Sequence, residues 1–258
     1  MSKIAKAFQN KKSLIVFITG GDPDVETTEK LIPALVESGA DLIEIGVPFS
    51  DPIAEGPIIQ AASKRALESG ITTDKLLEMV ARIRRNVSVP LLFMTYLNPV
   101  YVYGKERFFA TCRDAGIDGI IVPDMPFEEK GELSGNCTQF GIDLISMVAP
   151  TSHERIVMIA KEAEGFLYCV SSLGVTGMRS EINVGIENVI VQAKKFTNIP
   201  CAIGFGISDA DQARAMVKIA DGVIVGSAVV KIIAEYGNDC IEPVKTFVKT
   251  LKTAIENA

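Results

Sequence analysis

Short apolar runs alternate with longer segments of helical periodicity along the whole chain. Runs such as that from Leu14 to Ile18 are apolar at every position, which is typical of parallel strands covered on both faces. The runs predict eight strands, at residues 13–19, 41–46, 90–96, 118–122, 142–148, 166–171, 200–204 and 221–225. The pattern therefore predicts an α/β fold built on a parallel sheet.

The segments between these runs carry apolar residues three and four positions apart, as amphipathic helices do. Clear examples are residues 27–39, 104–116 and 208–220, of which the first two end at a glycine. Eight strand and helix units without a linker predict a (β/α)8 (TIM) barrel, for which about 250 residues is the usual size. We expect one domain, residues 1–258, with additional helices at residues 2–10 and 239–257.

Composition excludes several classes of function. The formal net charge is −6, and no Lys/Arg cluster forms the basic patch expected of a nucleic-acid-binding protein. The five cysteines are scattered and form no CxxC pair, so neither a disulfide framework nor a zinc site is indicated. The amino terminus has no apolar signal core, and no run approaches the ~18 apolar residues of a membrane span. We therefore expect a cytoplasmic protein without membrane or nucleic-acid partners.

Polar residues cluster where the predicted strands end, and in a barrel those ends carry the active site. Glu44 lies inside the apolar run of the second strand. Because burying an unpaired charge is costly, its carboxyl should either face the barrel mouth or pair internally. Desolvation would raise its pKa, which suits general acid and base catalysis. Asp51 and Glu55 lie in the following loop, where a role as ordinary turn residues stays open.

Two glycine motifs follow the last two strands, GFGIS at 204–208 and VGSAVVK at 225–231. Glycine lets main-chain N–H groups approach a ligand, and a helix N-terminus favours an anion. The pair therefore predicts the phosphate site that barrels build from these loops, with Gly177 as a further donor. For each glycine separately, a tight turn is the alternative.

The residue types that the strands lack also restrict the chemistry. Past their first residues the eight predicted strands contain no lysine that could form a Schiff base, which disfavours a lysine-type aldolase. The single histidine, His153, lies at a predicted helix start, where a solvated or capping role is expected rather than catalysis or metal binding. Carboxylates, hydroxyls, backbone amides and apolar walls remain, and these suit proton transfer on a phosphorylated substrate with an apolar part.

Seven motifs follow one another along the chain: FITGGDPD (17–24), EIGVPFSDPIAEGP (44–57), YLNPVYVYG (96–104), GIIVPDMPFEE (119–129), GVTGMR (174–179), GFGIS (204–208) and GSAVVKII (226–233). Taken together, they resemble the tryptophan synthase α subunit family, and the match runs in order through nearly the whole chain. The resemblance implies retro-aldol cleavage of indole-3-glycerol phosphate into indole and glyceraldehyde 3-phosphate. Glu44 would protonate the indole ring and remove the proton from the glycerol hydroxyl. Glu55, where the family has an aspartate, would accept the indole N–H.

The resemblance also implies a set of substrate contacts and no metal. Tyr96 should stand near Glu44, and Thr176 should close over Glu55. The indole pocket would be walled by Phe17, Ile121, Tyr168 and Phe205. The phosphate would be held by Gly177, Gly206, Gly226 and Ser227.

The family's partner is a pyridoxal-phosphate β subunit in an αββα heterotetramer, so this chain would need no cofactor of its own. Residues 48–57 and the region near Pro126 would form the contact. Phe49 and Met125 fit an exposed apolar interface, and a role as loop anchors stays open for each. Two other functions stay open at this point. One is a largely non-catalytic allosteric activator of the β subunit. The other is another phosphate-binding barrel, such as indole-glycerol-phosphate synthase or an isomerase.

Overall fold

The strands of the computed structural model, which describes residues 2–170, 179–204 and 206–258, form one wholly parallel sheet. In that part of the chain the strands are β1 (Ser13–Thr19), β2 (Leu42–Gly46), β3 (Leu91–Met94), β4 (Gly119–Ile121), β5 (Asp143–Leu144), β6 (Met147–Val148), β7 (Leu167–Val170), β8 (Cys201–Gly204) and β9 (Gly222–Val225). Their order is β5-β4-β3-β2-β1-β9-β8-β7-β6. All eight predicted strand positions carry strand.

The predicted strand 142–148 divides into β5 and β6, and this division closes the sheet. β5 pairs with β4, and β6 pairs with β7. Between them the Ile145 N–H still bonds to the Ile120 carbonyl, whereas the Ser146 carbonyl accepts the N–H of Tyr168. One short segment thus bonds to both edges of the sheet, and the predicted (β/α)8 barrel is confirmed.

Helices connect the strands on the outside of the barrel. Within the described residues they are α1 (Lys3–Lys6), α2 (Val25–Glu37), α3 (Pro57–Glu68), α4 (Thr73–Ile83), α5 (Leu97–Tyr103), α6 (Lys105–Ala115), α7 (Gly131–Phe140), α8 (His153–Lys161), α9 (Arg179–Ala193), α10 (Ala210–Val217), α11 (Ser227–Tyr236) and α12 (Ile241–Glu256). Short 3-10 turns occupy Phe127–Glu129 and Gly237–Asp239. The three predicted inner helices and the carboxy-terminal helix are confirmed within a few residues.

The amino-terminal helix is shorter than the predicted 2–10. It ends at Lys6, residues 7–10 form turns, and Asn10 adopts a positive φ of 57°, which a helix cannot continue through. Its apolar side chains nevertheless reach the barrel. Ile4 and Phe8 are buried against Ile15 and Phe166, so the helix closes the amino-terminal end of the barrel.

Side chains alternate between two apolar environments along each strand. On β1, Leu14, Val16 and Ile18 pack outward against the helices. Ile15 and Phe17 therefore point into the barrel, and Thr19 follows them on the same face. Both faces are buried, so the strand shows no polar alternation in sequence. Each fully buried Leu, Ile or Phe contributes about 1.5–3 kcal/mol, and this layer fixes the barrel that holds the inward residues.

Carboxylates at the amino-terminal end of the barrel tie neighbouring strands together. Asp41, just before β2, accepts the Leu14 N–H at 2.8 Å. Asp118 accepts the Leu91 N–H at 2.9 Å in the same manner. In the same way, Asp221 accepts the Cys201 N–H at 2.8 Å, and Glu164 accepts the Leu144 N–H at 3.2 Å. This end of the barrel is fixed by hydrogen bonds, and the opposite rim carries the loops with unusual polar residues.

Candidate active site

Glu44 lies in the middle of β2 with its side chain inside the barrel. It stands opposite Phe17 on β1 and Leu92 on β3, and only 1% of its surface is exposed. Neither carboxylate oxygen has a hydrogen-bond partner within the described part of the chain. Burial, and secondarily the charge of Glu55, raise the pKa of Glu44 to about 8. A carboxyl with this pKa can both give and take a proton near neutral pH.

Glu55 lies in the loop between β2 and α3, one residue before Gly56 at the start of that helix. It is half-buried, and its Oε2 atom is buried without a partner among the described residues. Burial raises the pKa of Glu55 to about 7. Its charge also raises the pKa of Glu44. The two carboxyls therefore have different pKa values, about 7 for Glu55 and about 8 for Glu44.

The backbone around Glu55 is held from two sides. The Tyr96 hydroxyl accepts the N–H of Ala54 at 3.1 Å, and the Gln60 side-chain amide donates to the Glu55 carbonyl at 2.8 Å. Tyr96 is 2% exposed, and its ring lies 5.3 Å from that of Phe49 between centroids. Tyr96 thus anchors the loop that presents Glu55, a role that its sequence position alone did not indicate.

Apolar side chains line the barrel around Glu44. Phe17, Ile121 and Tyr168 are buried there, and the ionised Glu44 adds to burial in raising the pKa of Tyr168. Two glycines leave room for the rings. A β-carbon at Gly46 would lie 2.7 Å from the Phe17 ring, and one at Gly204 would lie 2.4 Å from the Tyr168 hydroxyl. The structure therefore brings three of the four predicted wall residues, Phe17, Ile121 and Tyr168, together on the inner face of the barrel.

The glycine motifs lie at the same rim, but their two helices differ. Asp209 caps α10 by accepting the Gln212 N–H at 2.8 Å, so that helix start is occupied by a carboxylate. By contrast, α11 begins at Ser227 after Gly226, and no side chain of the described residues caps it. Free N–H groups in a first helical turn bind anions. Gly206, with φ of 80°, leaves open space beside its α-carbon.

Three predicted site residues, Thr176, Gly177 and Phe205, lie outside the described residues. Their roles remain predictions.

Two carboxylates that the motifs contained, but that were given no role, prove to be structural. Asp22, in the loop after β1, is buried and binds Arg65 of α3 through two hydrogen bonds of 2.8 Å. Asp124 accepts the Leu97 N–H at the start of α5, at 3.1 and 3.2 Å. Both lie just after a strand, which is where a sequence search can look for them. Asp22 fixes the helix that follows the Glu55 loop.

The comparisons with known proteins agree with this geometry. Residues 4–257 match the family model described as tryptophan synthase alpha chain. The chain belongs to the tryptophan synthase α chain family. The tryptophan synthase alpha chain of Lacticaseibacillus casei is 44% identical over 99% of this chain and 96% of that protein. That of Geobacter sulfurreducens is 46% identical over the whole of both chains.

Solved structures of this family share the fold. The tryptophan synthase subunit alpha of Legionella pneumophila superposes with a TM-score of 0.91, at 37% identity and 100% coverage of both chains. A chain of Mycobacterium tuberculosis tryptophan synthase gives a TM-score of 0.90, at 32% identity over 99% of this chain and 98% of that one. The predicted family, barrel fold and carbon–carbon lyase class are thereby confirmed.

The described residues contain no group of three His, Cys, Asp or Glu side chains placed to hold a metal ion. No helix among them is long and apolar enough to cross a membrane.

Proposed function

We propose that the chain cleaves indole-3-glycerol phosphate to indole and D-glyceraldehyde 3-phosphate, as one domain of residues 1–258, with Glu44 as acid and base. The observation that carries this proposal is a fully buried carboxyl without a partner among the described residues, whose pKa is raised to about 8 inside the barrel mouth. Protonated Glu44 gives its proton to C3 of the indole ring. The resulting carboxylate takes the proton of the adjacent glycerol hydroxyl. The carbon–carbon bond then breaks, and its electrons restore the aromatic ring.

Glu55 assists by accepting the indole N–H. Protonation at C3 leaves a positive charge on the ring, and a carboxylate at the ring nitrogen stabilises it. The loop contacts of Ala54 and the Glu55 carbonyl support this role, because they restrict where the carboxylate can reach. Tyr96 stands beside this loop. Thr176, which lies outside the described residues, would close over Glu55 as the family resemblance implies.

The rest of the substrate would be held by apolar and backbone contacts. Indole would lie between the rings and aliphatic side chains of Phe17, Ile121, Tyr168 and Phe205. The phosphate would bind the uncapped start of α11 at Gly226 and Ser227, together with Gly206 and Gly177. This binding uses backbone N–H groups and one hydroxyl, so the chain would need neither a metal nor a cofactor.

The partner would be a tryptophan synthase β subunit carrying pyridoxal phosphate, in a cytoplasmic αββα assembly. Two apolar side chains near the catalytic rim support a protein contact: Ile53 is 81% exposed and Val102 is 80% exposed. Phe49 and Met125, predicted as exposed interface residues, are instead half-buried, Phe49 against Tyr96 and Met125 against the core. Phe49 and Met125 therefore anchor loops. Ile53, within residues 48–57, and Val102, on the neighbouring rim, would form the apolar contact instead.

The deciding measurement is glyceraldehyde 3-phosphate formation from indole-3-glycerol phosphate, by the chain alone and after addition of a β subunit. We expect slow cleavage alone and a sharp rise with the partner. Glu44→Gln should abolish cleavage while the protein stays folded and retains phosphate binding, because it keeps shape and removes proton transfer. Undiminished activity in folded Glu44→Gln would refute the mechanism. Absence of cleavage in both assays, with stimulation of the β reaction, would indicate the activator function instead.

A matched pair of substitutions tests Glu55. Glu55→Asp keeps the carboxylate and should preserve or improve turnover. Glu55→Ala removes it and should lose most activity. If the alanine variant matched the parent chain, another group would have to stabilise the charged ring.

A further inference from the structure

Thr19 is a buried hydroxyl with nothing to bind in the described part of the chain. It ends β1, is 1% exposed, and its Oγ1 atom has no hydrogen-bond partner there. A buried polar group without a partner costs about 1–3 kcal/mol, so proteins seldom keep one without a use. Valine would fill the same volume without that cost.

Another buried threonine in the same strand and helix unit shows the usual arrangement. The Thr28 hydroxyl accepts the Gly21 N–H at 3.1 Å and donates to the Asp24 carbonyl at 2.9 Å. It is as buried as Thr19, but its bonding capacity is used within the protein. Burial on this side of the barrel therefore does not by itself explain the unused hydroxyl of Thr19.

The strand position of Thr19 places it between the two ends of the substrate site. β1 lies between β2, which carries Glu44, and β9, which leads into Gly226 and α11. Thr19 is on the inward face, two residues beyond Phe17, and pairs with Gly46, which is two residues beyond Glu44. Around the mouth of the barrel, Thr19 therefore lies between the Glu44 carboxyl and the start of α11, which no described side chain caps.

The substrate has a matching order of groups. Its reacting carbon carries one hydroxyl, the next carbon carries a second hydroxyl, and the phosphate follows. Only the second hydroxyl takes no part in bond cleavage, and it lies between the two groups that Glu44 and α11 would bind. We propose that Thr19 binds this second glycerol hydroxyl through a hydrogen bond. The inference rests on the proposed function and adds to it a substrate-binding residue.

The test compares two ligands on two proteins. Dissociation constants are measured in the Glu44→Gln background, where turnover is blocked, for indole-3-glycerol phosphate and for indole-3-propyl phosphate, which lacks both glycerol hydroxyls. We expect Thr19→Val to raise the dissociation constant of indole-3-glycerol phosphate roughly 10-fold, as loss of one hydrogen bond does. The dissociation constant of indole-3-propyl phosphate should rise less than 2-fold. Thr19→Ser, which retains a hydroxyl, should restore most of the difference. An equal effect on both ligands would overturn the proposal.

Kinetics in the otherwise unchanged chain give a second readout. A bond to the hydroxyl that does not react is the same in ground and transition states, so Thr19→Val should raise KM about 10-fold with little change in kcat. A fall in kcat at constant KM would instead indicate that the Thr19 hydroxyl interacts with Glu44 or with the reacting carbon. That result would overturn the assignment. If the parent chain bound neither ligand, the proposed function itself would fail, which is a separate outcome.

Stability separates this role from a structural one. Because Thr19 bonds to no described group, Thr19→Val should leave the urea midpoint unchanged or raise it. Thr28→Val, the matched control, should lower the urea midpoint and weaken the binding of both ligands equally. A loss of stability in Thr19→Val as large as in Thr28→Val would show that Thr19 serves the fold, against the proposal.

Discussion

Tyr168 fills the space that any side chain at Gly204 would need. A β-carbon at position 204 would lie 2.4 Å from the Tyr168 hydroxyl oxygen and 2.5 Å from a ring carbon. The residues are on neighbouring strands, where Gly204 pairs with Val170, two residues beyond Tyr168 on the same face. The position of Tyr168 in the proposed indole pocket therefore requires glycine at position 204 of the next strand.

Gly204→Ala should displace the Tyr168 ring and destabilise the protein by about 1–3 kcal/mol, as overpacking of a rigid core does. The same substitution in a Tyr168→Leu background should cost much less, because the colliding ring is gone. Urea unfolding of the four proteins measures this coupling. Additive losses would show that the two residues do not share the space. Cleavage activity should fall in Gly204→Ala, since the ring would leave its place beside Glu44.

The pH dependence of kcat/KM should be bell-shaped with a maximum between about pH 7 and 8. Glu55 must be ionised, so activity rises through its pKa of about 7. Glu44 must be protonated to start the reaction, so activity falls through its pKa of about 8. Because the charge of Glu55 raises the pKa of Glu44, the alkaline limb depends on both residues.

A variant at position 55 tests that assignment. Glu55→Gln removes the ionisation that produces the acidic limb. It also removes the negative charge that raises the Glu44 pKa, so the alkaline limb should move to lower pH. Residual activity of the variant, followed from pH 5 to 9, measures both effects. An alkaline limb that stays in place would mean that Glu44 does not sense Glu55.

Glu44 should also make stability depend on pH. Its pKa rises from an ordinary 4.5 to about 8 on folding, so the folded chain binds more protons than the unfolded chain between these values. Stability contributed by this residue is then lost as pH rises through that window. Glu44→Gln cannot ionise, and its stability relative to the parent should increase by a few kcal/mol, on the order of the pKa difference, from pH 5 to 8. Unfolding curves with a constant difference would contradict a buried, unpaired carboxyl.

The barrel and Glu44 could be predicted because their signals are local. Both faces of each strand are covered, so the strands read as continuous apolar runs, and a charge within such a run stands out. Thr19 gave a weaker signal, since a threonine at a strand end is common and only the structure shows that no described residue bonds to its hydroxyl. The division of residues 142–148 was not predictable, because it depends on how two distant strands meet.

The loop contacts of Tyr96 show a second limit. Its hydroxyl binds a backbone N–H 42 positions earlier in the chain, which no periodicity encodes. Tyr96→Phe leaves the Ala54 N–H without its acceptor and frees the loop that carries Glu55. We expect a stability loss of about 1 kcal/mol and a kcat/KM about 10-fold lower, because a displaced carboxylate stabilises the ring charge less well.

Tyr101→Phe is the matched control for Tyr96→Phe. Its hydroxyl also makes one hydrogen bond, to Glu132 at 3.0 Å, but at the surface. Both stability and activity of the isolated chain should stay close to the parent, within about 0.5 kcal/mol for unfolding. Equal losses in the two tyrosine variants would remove the argument for loop anchoring.

Asp41 should contribute to stability without affecting catalysis. It is buried, accepts the Leu14 N–H at 2.8 Å, and pairs with Lys11 at 2.5 Å and Lys252 at 2.8 Å, which joins β1, β2 and the carboxy-terminal helix. Asp41→Asn keeps an acceptor but leaves Lys11 without its partner and Lys252 with only Glu256, at 3.7 Å, so unfolding should become easier by about 2–4 kcal/mol. Because Asp41 lies at the amino-terminal end of the barrel, away from the rim that carries the Glu55 loop, kcat and KM of the folded protein should not change.

The control for Asp41 is Asp211→Asn. Asp211 pairs with Arg214 at 2.8 Å, but 91% of its side chain is exposed, and exposed pairs contribute little. Urea unfolding should show a large shift for the Asp41 variant and nearly none for the Asp211 variant. If both shifts were small, the strand contact at Leu14 would not hold the barrel. A loss of kcat in Asp41→Asn at full folding would mean that the two ends of the barrel are coupled, against the separation of structure and chemistry argued for this fold.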